Sequence, residues 1–150
     1  MSYSFKEILQ KITLGHDLCS SQAVYALECM MTGEVSSEEI ASFLTAMKMK
    51  GETIQELSSF VQVMRSKSLK VETDITGAVD IVGTGGDKSG TFNISTITAF
   101  VTAAAGVPVI KHGNRSASSK CGSADVLEIL GANIELHPNQ VAQVFERVGI

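Results

Sequence analysis

The sequence changes pattern near residue 70, and this change limits the chain to a two-part architecture. Before it, three S/T-x-x-E capping boxes begin at Ser4, Ser36 and Thr53, and such boxes mark helix starts. After it, short apolar segments that end in glycine alternate with helical segments, which is typical of an α/β domain with a mostly parallel sheet. The sequence therefore predicts an all-helical domain over residues 1–70 and the first part of an α/β domain over residues 71–150.

The first part is predicted to be a bundle of four short helices, one of them over residues 21–31 without a strong cap. Three apolar stripes recur at helical spacing and are predicted to pack mainly in the core. Because so small a bundle has few ways to bury every stripe, one face is expected to meet a second subunit and form a homodimer. The stripes are Phe5, Ile8, Leu9 and Ile12; Ile40, Phe43, Leu44 and Met47; and Leu57, Phe60, Val61 and Met64.

The second part is predicted to begin a mostly parallel sheet. Strands are predicted at residues 79–82, 107–110 and 133–136, and helices at 93–105, 123–130 and 138–148. An α/β fold normally continues into another strand after such a helix, so we expect a truncated domain.

Composition argues against several classes of function. The net charge of −4 disfavours nucleic acid as a partner, because phosphate backbones are usually met by basic domains. Cys19, Cys29 and Cys121 have no CxxC spacing, so no disulfide framework or zinc site is predicted, and a reducing cytoplasm is expected. The sequence shows neither an apolar signal core nor an uncharged apolar run long enough to cross a bilayer, so no membrane partner is expected.

The first candidate site is the run DIVGTGGD at residues 80–87, predicted to join a strand to a helix. Open α/β sheets bind ligands at this position, and glycines let several backbone N–H groups approach one anion. Asp87 suits a magnesium shell, a water-mediated contact to ribose or phosphate, or a helix cap. A dinucleotide fingerprint would need glycine in place of Lys88, and a Walker A loop is excluded because Gly90 precedes Thr91. A plain tight turn is the alternative.

The second candidate is TFNIST at residues 91–96, predicted to lie at a helix start. An N-cap would account for one of its four polar side chains. Ser95 offers a neutral oxygen to magnesium.

The third candidate is KHGNRSASSK at residues 111–120, which follows a predicted strand. Lys111 and Arg115 suit the neutralisation of phosphate and act as electrostatic stabilisers in this interpretation. Asn114 offers both a donor and an acceptor to a ligand. His112 is interpreted as a packed or hydrogen-bonded ring, and no acid or base is assigned.

Together, GTGGD at 83–87, NIST at 93–96 and KHGNR at 111–115 resemble the anthranilate phosphoribosyltransferase family, with SS at 118–119 and GSAD at 122–125 continuing the pattern. The resemblance covers the whole chain and corresponds to the N-terminal half of such an enzyme, whose fold is of the nucleoside phosphorylase/phosphoribosyltransferase type. It implies transfer of ribose 5-phosphate from 5-phospho-α-D-ribose 1-diphosphate, hereafter the donor, to anthranilate in tryptophan biosynthesis, with Mg²⁺ as cofactor.

The resemblance also implies site residues. Ser95 would be a magnesium ligand and Asn114 a contact to anthranilate. The substrate-binding residues would be Gly83, Thr84, Gly85, Gly86, Asp87, Thr91, Asn93, Ile94, Ser95, Thr96, Lys111, His112, Gly113, Asn114, Arg115, Ser118, Ser119 and Ser123.

Members of this family continue well past 150 residues, and their later half carries an Asp-Glu pair that completes the magnesium sites and an arginine for the anthranilate carboxylate. Neither has a counterpart here, so an inactive fragment is one expectation. The alternatives are a non-catalytic phosphate-binding and association module, and a relative of the pyrimidine nucleoside phosphorylases.

Overall fold

The computed structural model describes residues 3–83, 92–115 and 122–150, and the chain divides into two compact units at Ser68 and Leu69. The first unit is helical throughout. No helix in the described ranges is both long and apolar enough to cross a membrane. The helices of the first unit are α1 (Phe5–Thr13), α2 (Ser20–Thr32), α3 (Ser37–Lys50) and α4 (Ile54–Lys67).

The predicted helix starts in this unit are confirmed. At α3, the Glu39 N–H donates to Ser36 Oγ (3.3 Å) and the Ser36 N–H donates back to Glu39 Oε2 (2.9 Å). Thr53 and Glu56 make the same reciprocal pair at α4. A cap that the sequence analysis did not identify begins α2, where the Cys19 N–H donates to Gln22 Oε1 at 3.3 Å. Each pair satisfies N–H groups that the first helical turn leaves without partners.

The core of the bundle forms where α1 packs against α2 and α3, and α2 packs against α4. The Phe43 ring centroid lies 5.7 Å from that of Phe5 and 6.3 Å from that of Phe60, so one aromatic cluster links three helices. The buried residues of this core are Phe5, Ile8, Ile12, Leu18, Ala23, Ala26, Cys29, Phe43, Ala46 and Met47.

The prediction that the α4 stripe packs in the core is confirmed for Phe60 and wrong for its other three residues. In the α3 stripe the same prediction is wrong for Leu44, which is 59% exposed. Leu57, Val61 and Met64 are each at least half exposed, and α4 instead buries Glu56, Ser59 and Val63. The reason is the hydrogen bonding of Glu56, which turns that face of the helix inward.

Glu56 is fully buried and holds two chain segments together. Its carboxylate accepts hydrogen bonds from the N–H groups of Leu18 (2.7 Å) and Thr53 (2.8 Å) and from Lys50 Nζ (2.9 Å). Lys50 Nζ also contacts Asp17 Oδ1 at 2.8 Å. The α1–α2 connection is thereby tied to the turn between α3 and α4, and a buried charge has the partners it needs.

Acid is expected to weaken this unit through Glu56. Burial raises the pKa of Glu56, but hydrogen bonds from the Leu18 and Thr53 N–H groups and from Lys50 outweigh burial and leave that pKa below its ordinary value. The pKa of Glu56 is lower in the folded state than in the unfolded state, where it is about 4.3. The ionised carboxylate therefore contributes fully to the free energy of unfolding above the unfolded pKa, and this contribution is lost as pH falls through the folded pKa. Urea unfolding followed by helical circular dichroism should show this decline, and Glu56→Gln should reduce it. An equal decline in Glu56→Gln would contradict the assignment.

The second unit contains α5 (Ile94–Ala104), α6 (Ser123–Ile129) and α7 (Pro138–Val148). All three helices were predicted, and the bounds differ from the predicted ones by no more than one residue at each end. Pro138 occupies the first turn of α7, where its fixed φ suits the helix and its missing N–H costs nothing.

The described ranges contain one isolated parallel bridge, between Val79 and Val109, and no strand, so the predicted start of a parallel sheet is not confirmed there. The Val79 N–H donates to Pro108 O (2.9 Å), and the Ile110 N–H donates to Val79 O (3.0 Å). On the other side, the Val109 N–H donates to Gly149 O at 2.9 Å. The two hydrogen bonds of Val79 have the slanted pattern of a parallel pair, and the Gly149 carbonyl satisfies the Val109 N–H on the other side.

Strands of the predicted length at 79–82 and 107–110 do not form in the described ranges, because a strand needs a neighbour along its whole length and pairing here is confined to Val79 and Val109. The predicted strand at 133–136 is wrong. The Glu135 N–H donates to Asn133 Oδ1 at 3.0 Å, a local turn that replaces a ladder hydrogen bond.

Candidate functional site

Lys111 lies where three of the sequence motifs meet. It follows the segment that contains Val109, and its Nζ donates to the carbonyl oxygen of Ile81 at 2.7 Å. The same Nζ lies 3.5 Å from Ser95 Oγ, in the first turn of α5. The next residue, His112, donates its backbone N–H to Asp80 Oδ1 at 3.0 Å. The ends of both bridged segments and the start of α5 therefore lie at one edge, as predicted for ligand binding in an α/β sheet.

Asn93 joins the start of α5 to the start of α6. It occupies the N-cap position of α5 but makes no capping hydrogen bond through its side chain. Its Nδ2 instead donates to the carbonyl oxygen of Gly122 at 3.2 Å. Asn93 therefore ties two helix starts together instead of capping its own helix.

Asn114, in the described part of the third motif, lies against the start of α6. The Asn114 N–H donates to Ser123 Oγ at 3.2 Å, and the Ala124 N–H donates to Asn114 O at 3.2 Å. Gly113 permits this approach, because a Cβ at that position would lie 2.5 Å from Ser123 Oγ. Glycine is used here for close packing of the backbone against a helix.

Replacing Gly113 with alanine is expected to destabilise the second unit by about 1–3 kcal/mol, the usual cost of forcing extra volume into a packed site. The new methyl group would push Ser123 Oγ away and break its hydrogen bond with Asn114. Urea unfolding measures the change. In a Ser123→Ala background the cost should be clearly smaller, because the clashing oxygen is gone. Equal costs in both backgrounds would show that the Gly113–Ser123 contact is not the cause.

Arg115 is paired with carboxylates of α6. Its Nη1 lies 2.6 Å from Glu128 Oε2 and its Nη2 lies 2.8 Å from Glu128 Oε1, a two-bond arrangement. Asp125 Oδ1 is 3.5 Å from Nη1. The hydrogen bond and charge of Glu128 raise the pKa of Arg115, and the Arg115 hydrogen bond lowers the pKa of Glu128. Arg115 is thus charged and held in place, although its side chain is half exposed.

A cavity of about 440 Å³ in the second unit is lined mainly by apolar side chains of α5, α6, α7 and the segment before α7. Thr96 also lines it, is 2% exposed, and within the described ranges has a hydroxyl without a hydrogen-bond partner. This lining suits packing of apolar groups and does not suit a diphosphate. Lys111 is the charged residue of this lining. Its contacts with Ile81 and Ser95, together with the contact between His112 and Asp80, form the cluster around Lys111, which suits an anion better than the apolar part of the cavity.

The predicted site residues fall into two groups. Among the described ones, contacts connect Ser95 with Lys111 and Asn114 with Ser123, whereas Thr96 is buried and the Ile94 side chain is half exposed. They are Gly83, Asn93, Ile94, Ser95, Thr96, Lys111, His112, Gly113, Asn114, Arg115 and Ser123. Those outside the described residues are Thr84, Gly85, Gly86, Asp87, Thr91, Ser118 and Ser119.

Asp80 and Glu128 contribute to the cluster but were not among the predicted site residues. Asp80 positions the backbone of His112, and Glu128 holds Arg115. The helical spacing of Asp125 and Glu128, three positions apart, was an available signal for an acidic helix face. Nothing local indicates that this face meets Arg115, thirteen positions before Glu128.

Ser95 provides one neutral oxygen that fits a magnesium ligand. Its hydroxyl is partly buried and can accept from Lys111 while offering its second lone pair to a cation. No group of three His, Cys, Asp or Glu side chains in the described part of the chain is placed to hold a metal. The described residues therefore fit magnesium that is held largely by water and ligand oxygens, a mode that Mg²⁺ commonly adopts.

Comparison with known proteins identifies the family of the chain. The protein-family model described as "Glycosyl transferase family, helical bundle domain" matches residues 6–68. A second family model, described as "Glycosyl transferase family, a/b domain", matches residues 75–150. The chain is 52% identical over 145 residues to the anthranilate phosphoribosyltransferase of Acetivibrio thermocellus, covering 97% of this chain and 42% of that protein. The chain is 50% identical to the anthranilate phosphoribosyltransferase of Alkaliphilus metalliredigens, and the match covers 97% of this chain and 43% of that protein.

A solved structure of anthranilate phosphoribosyltransferase from Thermus thermophilus superposes with a TM-score of 0.81 at 41% identity, covering 95% of this chain and 43% of that one. The chain thus spans less than half the length of the relatives it matches. The resemblance inferred from the motifs is confirmed. The chain belongs to the glycosyl transferase family made up of this helical bundle domain and this α/β domain.

Proposed function

We propose that the chain carries the donor-binding part of an anthranilate phosphoribosyltransferase, which converts the donor and anthranilate to N-(5-phosphoribosyl)anthranilate and diphosphate in tryptophan biosynthesis. The observation that carries the proposal is the meeting of three motifs at Lys111, which places an ammonium group beside Ile81 and Ser95. The similarity to proteins of that name over 97% of the chain supports the choice of reaction.

In the proposed reaction, the bond from ribose C1 to diphosphate oxygen breaks, and a bond from C1 to the anthranilate nitrogen forms as that nitrogen loses a proton. Negative charge develops on the leaving diphosphate. Lys111 and Arg115 would stabilise it electrostatically, from positions already fixed before the substrate arrives. Asn114, whose backbone lies against α6, would orient the acceptor.

Magnesium, when bound with the donor, supplies additional positive charge to the diphosphate oxygens. Ser95 would provide one ligand to it. Because the Lys111 ammonium lies 3.5 Å from Ser95 Oγ, it would repel a cation held at Ser95, and the negative charge of the donor would offset that repulsion.

The proposed transfer is tested by the fluorescence of anthranilate in a solution of the chain, the donor and Mg²⁺. A loss of fluorescence that requires both the donor and Mg²⁺ and is absent in Lys111→Met would show that this part of the enzyme is sufficient for transfer. Unchanged fluorescence would contradict catalysis by this chain. Unchanged fluorescence with donor binding retained would favour the binding-module alternative, and phosphorolysis of thymidine or uridine would favour the nucleoside phosphorylase alternative.

We also propose that a second copy of the chain covers the exposed stripe of α4. Ile54, Leu57, Val61 and Met64 lie along one side of this helix, and each is at least half exposed. An apolar stripe of this kind is costly in water, and a symmetric dimer covers the same stripe on both subunits.

The dimer is tested by sedimentation of Val61→Glu, which places a charge in the middle of the stripe. The variant is expected to shift from dimer to monomer, because an unpaired charge in an apolar interface is unfavourable. Gln62→Glu adds the same charge at the neighbouring exposed position and should leave the dimer intact. An unmodified chain that sediments as a monomer at high concentration would contradict the proposal.

We propose the cytoplasm as the compartment. Cys19 and Cys29 are free thiols in the described part of the chain, and the cytoplasm is where thiols stay reduced. The substrates named above are small anions, and the net charge of −4 gives no reason to add nucleic acid as a partner.

A further inference from the structure

The contact between Arg115 and Glu128 has a geometry that fixes the direction of the guanidinium group. Both terminal nitrogens of Arg115 face the two oxygens of one carboxylate, at 2.6 and 2.8 Å. A parallel pair of hydrogen bonds of this kind restricts rotation of the guanidinium plane far more than a single contact would. Asp125 Oδ1, 3.5 Å from Nη1, adds negative charge on the same side.

The backbone beneath Arg115 is also fixed to α6. Asn114 is hydrogen-bonded to Ser123 and Ala124 at the start of that helix, and the Arg115 N–H donates to Asn114 Oδ1 at 2.8 Å. Backbone and side chain are therefore both held by the same short helix. Glu128 engages one N–H of each terminal nitrogen, and Asp125 Oδ1 lies within reach of Nη1. Within the described residues, Nε and the second N–H of Nη2 are therefore the donors that could meet an anion.

We propose that Glu128 is a positioning residue for the diphosphate group, acting through Arg115. It would hold the guanidinium of Arg115, which lies four residues after Lys111 in the same motif, so that little side-chain freedom is lost when the anion binds. The inference rests on the proposed function, because it assumes that the anion at this site is the diphosphate of the donor.

The sign of the effect separates positioning from simple electrostatics. Glu128 is a negative charge near a site for an anion, so by Coulomb's law its removal should strengthen diphosphate binding. Positioning gives the opposite result, because a freed Arg115 has more rotamer freedom to lose on binding. Weaker binding without Glu128 is therefore a result that charge does not explain.

The test is calorimetric titration of inorganic diphosphate with Mg²⁺ into the 150-residue chain and its variants. Glu128→Gln is expected to weaken binding by about two- to fivefold, the range set by couplings measured for exposed ion pairs. Glu128→Asp, which keeps the charge with a shorter reach, should recover part of the loss. Glu146→Gln removes the same charge from an exposed position on α7 and should not weaken binding.

A double-mutant cycle with Arg115→Gln shows whether Glu128 acts through Arg115. In that background Glu128→Gln should have no further weakening effect. An equal weakening in both backgrounds would overturn the inference, and so would diphosphate binding to Glu128→Gln as tight as to the unmodified chain. If the unmodified chain binds no diphosphate, the proposed function fails together with this inference. If it binds and Glu128→Gln does not differ from it, the inference fails and the proposed function stands.

Discussion

Replacing Glu56 with alanine is expected to lower the free energy of unfolding of the helical unit by about 3–5 kcal/mol, the usual result of breaking a buried ion pair by removing one partner. The side chains of Glu56 and Lys50 are 0% and 3% exposed, so solvent screens the pair very little. Alanine would leave the Leu18 N–H without its 2.7 Å partner and leave Lys50 near the interior with Asp17 as its remaining carboxylate.

This loss is a large part of the stability of a typical small domain. Amide hydrogen exchange in α2 and α4 of the full chain measures it locally, without interference from the second unit. Glu52→Ala is the matched control, because Glu52 is an exposed carboxylate in the same α3–α4 turn. A change below about 1 kcal/mol in Glu56→Ala would show that the network contributes little.

Replacing Lys111 with methionine is expected to weaken donor binding by about ten- to a hundredfold. Methionine keeps an apolar stem of similar length and removes the ammonium group, so the expected effect is that of one charged hydrogen bond, about 1.5–3 kcal/mol. The ammonium group also joins Ile81 to the start of α5, so its loss is expected to loosen the cluster before any ligand arrives.

Calorimetric titration of the donor with Mg²⁺ measures this change. Lys70→Met is the control, because Lys70 is an exposed lysine of the same unit outside the cluster. Both variants lose one positive charge. The difference between their affinities for the donor therefore reports the effect of the location of Lys111, separate from the effect of net charge. Equal affinities in the two variants would remove Lys111 from the proposed site.

The features that could be predicted from the sequence are mostly local. The capping boxes at Ser36 and Thr53 and the proline at the start of α7 fixed helix starts, because the hydrogen bonds or backbone angles involved lie within three or four residues. The gathering of three motifs at one edge was also predictable, since it follows from the direction of parallel segments.

The features that were missed depend on residues far apart in the sequence. The orientation of α4 follows from the contact between Glu56 and Leu18, thirty-eight positions away, which outweighs the apolar stripe on the other face. The segment at 133–136 has an apolar alternation suited to a strand, but its backbone makes a local turn through Asn133. Asn93 is a residue type typical of N-caps, but its side chain donates a hydrogen bond to the carbonyl oxygen of Gly122 instead.

The central claim is that the cluster around Lys111 binds the donor, and calorimetric titration of the unmodified chain with the donor and Mg²⁺ tests it most directly. Titration with ribose 5-phosphate under the same conditions is the comparison, because that compound lacks the diphosphate group. We expect the donor to bind clearly more tightly than ribose 5-phosphate. Equal affinities, or no heat of binding from the donor, would contradict the claim.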